Sequence, residues 1–150
     1  MSPVTMFTTR KAHRTKGGGG GMLNESDTWV NASVDKKTGA TIYRLVTYTN
    51  YWGNWRFYSL GTYWGVDGPV QGLLTTTRNV DACMSMCRFS ETVSMEVSEP
   101  VMCHAADLPN MWAVRFSAND GCRWNEEISP AEVAALVNRV NGYKGSRGFR

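Results

Sequence analysis

No stretch of this chain stays apolar long enough to cross a membrane, and its opening residues hold no apolar run of signal-peptide length. Histidine is nearly absent, with only His13 and His104, so a Cys–His nucleophile would need Cys83, Cys87 or Cys122 to meet His104 in space. There is no P-loop, no dinucleotide fingerprint and no HExxH. The run "GGGGG" at residues 17–21 is not a phosphate loop, because no Lys-Ser/Thr follows it and no strand pattern leads into it. Cysteines number four, and a zinc ribbon needs two tight knuckles where this chain has the single near-pair Cys83-x3-Cys87. The cysteines are therefore expected as reduced, buried small hydrophobes, and no cofactor or metal is called for. Glu126 and Glu127 form a carboxylate pair, but just before the final helical pattern they suit the positive end of a helix better than acid–base chemistry. These absences point away from an enzyme.

Acid is missing from both ends. Residues 1–21 carry Arg10, Lys11, Arg14 and Lys16 with no Asp or Glu, and residues 144–150 carry Lys144, Arg147 and Arg150, again without acid. The formal charge of +3 thus hides a mildly acidic middle flanked by two basic extremities. Like-charged terminal blocks bind polyanions, because cations near phosphates release condensed counterions. Glycines 17–21 leave the backbone almost unrestrained, so residues 1–27 read as a flexible basic arm with a Gly hinge. Residues 28–143 read as the globular domain and residues 144–150 as a basic tail.

Within the body, β patterns dominate. In "TWVNASVD", Val30, Ala32 and Val34 alternate with polar neighbours, and "DKKTGA" supplies a glycine for a short loop before "TIYRLVTYT". Residues 28–35 and 40–49 are predicted to form a hairpin. "WRFYSLGTYW", with Gly61 as a bulge, and "GLLTTTR" read as the third and fourth strands; "VSMEVSE" and "NMWAVRFSA" alternate as two more. Asn79 or Asp81 would cap a short middle helix reaching residue 89. "SPAEVAALVNRVNG" is the strongest helix, with Ser129 and Glu132 as a capping box, Pro130 in the first turn and Asn141-Gly142 as the stop. Its stripe Val133, Leu136, Val137 and Val140 would cover the sheet, within the subunit or across a dimer. The expected fold class is α+β, an antiparallel β-meander of about six strands with a short middle helix and a C-terminal amphipathic helix.

Aromatic residues crowd "YTNYWGNWRFYSLGTYW", and Arg44 and Arg56 lie among them on strands expected to be neighbours. Rings with guanidinium groups on a β-surface suit single-stranded nucleic acid or a protein interface, for which Trp52 and Trp55 are the candidate anchors.

The order of arm, hinge, β-rich body and basic tail resembles small viral coat proteins, and the opening hairpin, sheet and final helix are similar to coats of single-stranded RNA phages, although those typically lack a long basic arm. The resemblance implies a non-enzymatic structural protein that packages RNA and assembles with copies of itself, in the virion and the host cytoplasm. Arg10, Lys11, Arg14, Lys16, Lys144, Arg147 and Arg150 would then neutralise phosphate without regard to sequence, aided by Arg44 and Arg56. A phage-encoded inhibitor of a host nucleoprotein and a ribosome-associated protein are the alternatives outside that class.

Overall fold

The computed structural model describes residues 3–9, 14–17, 23–119 and 121–149. Ten strands and two helices occur among them, and every strand pairing is antiparallel. Sheet A holds β1 (Val4–Thr8), β2 (Arg14–Gly17), β3 (Leu23–Asp35), β4 (Thr41–Trp52), β7 (Thr75–Cys83) and β8 (Cys87–Val97) in the order β1-β3-β4-β8-β7, with β2 also beside β3. Sheet B holds β5 (Tyr58–Gly65), β6 (Gly68–Leu73), β9 (Trp112–Ala118) and β10 (Arg123–Ile128) in the order β10-β9-β5-β6. Helix α1 spans Glu99–Ala106 and α2 spans Pro130–Ser146. The α+β class and the β3–β4 hairpin agree with the sequence expectation. A single meander does not: after β4 the chain leaves for the second sheet, and β4 pairs with β8 instead of β5.

One face of sheet A is the core face. Val30, Ala32 and Val34 of β3, Tyr43, Leu45 and Tyr51 of β4, and Val93, Met95 and Val97 of β8 all point into it and are buried. Sheet B and the two helices form the opposing layer, with Trp112, Val114 and Phe116 of β9 and the stripe Val133, Leu136, Val137 and Val140 of α2 buried against it. That stripe is therefore satisfied inside one chain, so it does not supply the subunit contact it was also considered for. Between the sheets, Met95 presses onto Gly61 and Gly72, which are cross-strand partners; a Cβ on Gly72 would lie 2.8 Å from the Met95 methyl carbon. Gly61 is needed for that close approach, while the irregularity in β5 falls between Tyr58 and Leu60.

Several local expectations are corrected. The residues expected as a flexible arm, 1–27, include two strands and the start of a third: β1 pairs with residues 31–35 of β3, and β2 with residues 23–26, where β3 begins. β1 escapes an apolar-period search because it contributes one core side chain, Phe7. α2 holds it down, through a Tyr143–Phe7 ring contact of 5.3 Å and a 3.0 Å hydrogen bond between the Thr5 and Tyr143 hydroxyls. The hinge glycines 18–21 lie outside the described residues.

The tail is also built in. α2 runs past Asn141-Gly142 to Ser146 and ends through Gly148 at φ 77°, with the Phe149 amide donating to the Lys144 carbonyl at 2.8 Å. The Phe149 ring then lies on Gly39 in the β3–β4 turn, where φ is 76° and no side chain fits. Ser129 is the N-cap and Pro130 sits in the first turn as expected, but the Ser129 hydroxyl makes no capping bond and no capping box forms.

The middle helix over residues 79–89 is absent. That segment is strand, turn and strand, because Arg78, Asn79 and Val80 pair with β8; helix forms instead at α1, entered through Ser98-Glu99-Pro100. At the tip of the β7–β8 hairpin Cys83 and Cys87 are register partners with Cα atoms 4.0 Å apart, and they form a disulfide where reduced thiols were expected. Cys103 and Cys122 are exposed rather than buried. Glu126 and Glu127 belong to β10 on opposite faces, and buried Glu126 accepts a 2.7 Å hydrogen bond from the Trp124 indole N–H.

Candidate nucleic-acid interface

Alternation along β3, β4 and β8 gives sheet A a second face that neither sheet B nor the helices cover. Its rows follow from the register: Asn31, Arg44 and Glu96 lie across three strands, then Trp29, Val46 and Ser94, then Asp27, Tyr48 and Thr92. Trp29 and Tyr48 are half-buried diagonal neighbours and, with Asp27 and Thr92, line a shallow depression of about 380 Å³. Diagonal pairs on adjacent strands stand roughly 7–8 Å apart, so a flat ligand has an indole and a phenol within reach. The Arg44 guanidinium donates to the Ser33 hydroxyl at 3.2 Å, which fixes it over the sheet while leaving further N–H groups. Asn31 Oδ1 beside it is fully buried and has no hydrogen-bond partner among the described residues. Arg44 and Arg88 are balanced there by Asp27, Asp81 and Glu96, so the face has shape and ring chemistry but no cationic excess.

Arg56 is not part of this face. It lies in the β4–β5 loop with its guanidinium carbon 4.3 Å from the centre of the Tyr51 ring, and it donates to the Tyr58 hydroxyl at 3.4 Å. The two arginines expected on neighbouring strands are thus separated, since β5 belongs to the other sheet. Arg56 forms part of a buried polar hub around Glu91. One Glu91 oxygen accepts the Tyr51 hydroxyl; the other accepts the Tyr58 amide at 3.1 Å and Arg78 Nε at 2.9 Å. The Tyr51 hydroxyl in turn accepts the Arg56 amide at 2.9 Å. Burial first, and then its bond to Glu91, hold the Tyr51 phenol far above the usual tyrosine range, and burial raises Tyr58 as well. Three donors meeting on one dry carboxylate pin the loop to β8 and β7. Both Glu91 oxygens are thus engaged within the chain.

The other predicted residues are scattered. Arg10, Lys11 and Arg150 lie outside the described residues. Arg14 and Lys16 lie in β2, whose partner Ser26 is itself paired with Thr49, next to the Tyr48 end of the open face. Lys144 occupies the last turn of α2, and Arg147 its C-cap, 6.0 Å from the Tyr143 ring centre. Both stand at the β3–β4 turn end, where Phe149 meets Gly39 and where Lys36 and Lys37 also lie. Trp52 is half-buried at the end of β4. Trp55 packs inside the chain, 4.2 Å from Phe89 and 5.9 Å from Phe57 between ring centres, so it does not serve as an outward anchor.

Asn31, Trp29 and Tyr48 form the site that sequence reasoning missed. The signal was present as the polar phase of the same alternation that marked Val30, Ala32 and Val34. Among the described residues, no group of three or more His, Cys, Asp or Glu is placed to hold a metal ion, and no helix is long and apolar enough to cross a membrane. Fold and site together define an antiparallel α+β protein with one open, ring-bearing sheet face. No protein-family model, curated protein or solved structure matches the chain.

Proposed function

We propose that this chain is a non-enzymatic, RNA-binding structural protein, a self-assembling coat subunit of the viral or phage type that acts in the virion and the host cytoplasm. The open face of sheet A carries the reading: half-buried Trp29 and Tyr48 sit beside an anchored Arg44. Bases stack on such rings whatever their identity, and a carboxamide or guanidinium reads base edges. Charge neutrality on the face favours phosphate binding by other residues: Arg14 and Lys16 on β2, next to its Tyr48 end, with Arg10 and Lys11 preceding them in sequence.

The test is fluorescence anisotropy of a labelled single-stranded RNA on the full chain. Trp29→Ala should weaken binding about tenfold or more, since a stacked base contributes about 1–3 kcal/mol, and Arg44→Glu should weaken it further. Unchanged affinity in both variants, with circular dichroism confirming the fold, overturns the assignment.

A further inference from the structure

Each sheet has two ends, and three of the four are guarded; at one of them β1 shares the flank of β3 with the four-residue β2. β1 is a five-residue strand tied down by α2. β10 alternates exposed Arg123, Asn125 and Glu127. β6 is six residues long and carries Pro69 near its start. Short length, charge and proline are the usual protections of a sheet edge. β7 has less of them: it is nine residues long without proline, its two charges Arg78 and Asp81 are drawn back onto Glu91 and Ser90 of β8, and every residue but Thr76 is exposed. A bulge between Val80 and Ala82 is its one irregularity. On β7 and its turn into β8, the apolar side chains of Val80, Met84 and Met86 are open to solvent, as is Leu73 just before β7 at 81% exposed.

We infer that β7 is an association edge that pairs antiparallel with β7 of a second copy of this chain, joining two copies of sheet A. Charge favours that occupant over a polyanion: residues 68–87 hold one cation, Arg78, and one anion, Asp81. The strand is also compatible with itself. Full overlap of Thr75–Cys83 with a second copy places Asn79 on the two-fold axis. Arg78 then faces Val80 of the other copy and Thr77 faces Asp81, so no like charges are opposed. The inference rests on the self-assembly proposed above and names the contact that assembly would use.

The experiment is light scattering coupled to gel filtration on the full chain, treated with nuclease and run at high salt so that RNA cannot bridge copies. The native chain should elute at twice its 16.7 kDa mass. Val80→Lys sets a lysine against Arg78 of the other copy and should weaken the dimer about tenfold, whereas Val80→Glu sets a carboxylate opposite that cation, in addition to its own Glu91, and should leave the dimer within about threefold of native. Hydrogen exchange should find β7 amides protected in the native dimer and exposed in Val80→Lys. If the native chain stays at 16.7 kDa at every concentration, both this inference and the assembly reading fall. If it associates but the two Val80 variants behave alike, or the β7 amides exchange freely, only the β7 assignment falls. RNA affinity, read separately through Trp29→Ala, is independent of either result.

Discussion

Arg78 and Glu91 form an ion pair with one wet end and one dry end: the nitrogen–oxygen distance is 2.9 Å, and the side chains are 35% and 0% exposed. The pair ties the edge strand β7 to β8, while the same carboxylate ties down Tyr51 and the Tyr58 amide. Glu91→Gln keeps the shape but removes the charge that draws in Arg78. Hydrogen bonds to charged groups are worth about 1.5–3 kcal/mol, and the dry position of Glu91 favours the upper part of that range. The urea midpoint should move by the equivalent of about 3 kcal/mol, with Arg78→Met milder because its own end is wet. A variant as stable as native Glu91 would show that the hub contributes no net stability.

Close sheet-to-sheet contact leaves Gly61 no room for a side chain unless Met95 shifts. Gly61→Ala forces the Met95 thioether to move and should cost about 1–3 kcal/mol, the usual range for overpacking. Met95→Ala in the same chain removes the obstacle, so the double variant should be more stable than the two single losses added together. Simple additivity in thermal melts would place the strain elsewhere.

Tyrosines set the alkaline limit. Burial, reinforced by the negative Glu99, pushes Tyr43 up to about 12, and burial also raises Tyr51 and Tyr58. Each phenol holds its proton more tightly folded than unfolded. Their contribution is complete below the ordinary tyrosine value of 10.0 and drains away as pH climbs toward 12. Urea midpoints should be insensitive to these groups at pH 8 and fall steeply above pH 10, with Tyr43→Phe removing part of the fall. A flat profile across that window contradicts the burial-driven shifts.

The proposed neutralisation of phosphate by the N-terminal cations predicts a salt signature. Replacing Arg10, Lys11, Arg14 and Lys16 with glutamine should flatten the log–log dependence of RNA affinity on salt by roughly three, taking the single-strand coefficient. Trp29→Ala should lower affinity at every salt concentration without changing that slope. An unaltered slope in the four-residue variant would remove those cations from the interface.

The parts of the fold that were legible in sequence are those whose pattern is local. Val30, Ala32 and Val34 mark β3, Trp112, Val114 and Phe116 mark β9, and Val133 to Val140 mark the buried stripe of α2, because each alternation or helical spacing is complete within one element. β10 was hidden because its central inward residue is Glu126, which becomes acceptable only once Trp124 donates to it. The partition into two sheets was also hidden, since β4–β8 and β5–β9 pairing depends on residues dozens of positions apart. The short middle helix was misplaced for a related reason: "DACMSMC" has helix-compatible spacing, but its cysteines are cross-strand partners. Of the candidate site, Arg44 was visible as a cation among rings, whereas the grouping of Trp29, Tyr48 and Asn31 around it depends on register.

The β4–β8 ladder runs from Tyr43–Val97 to Trp52–Arg88 and encloses the whole β5–β6 hairpin. A chain emerging from the ribosome can zip β3 to β4 early, but the other flank of β4 stays open until β8 clears the exit tunnel, and β5 waits longer still for β9. Two half-built sheets with apolar faces uncovered coexist throughout that interval, and long-range pairing of this kind is slow and prone to aggregation. Synthesis rate and holding chaperones should therefore govern soluble yield more strongly than the stability of the finished protein does.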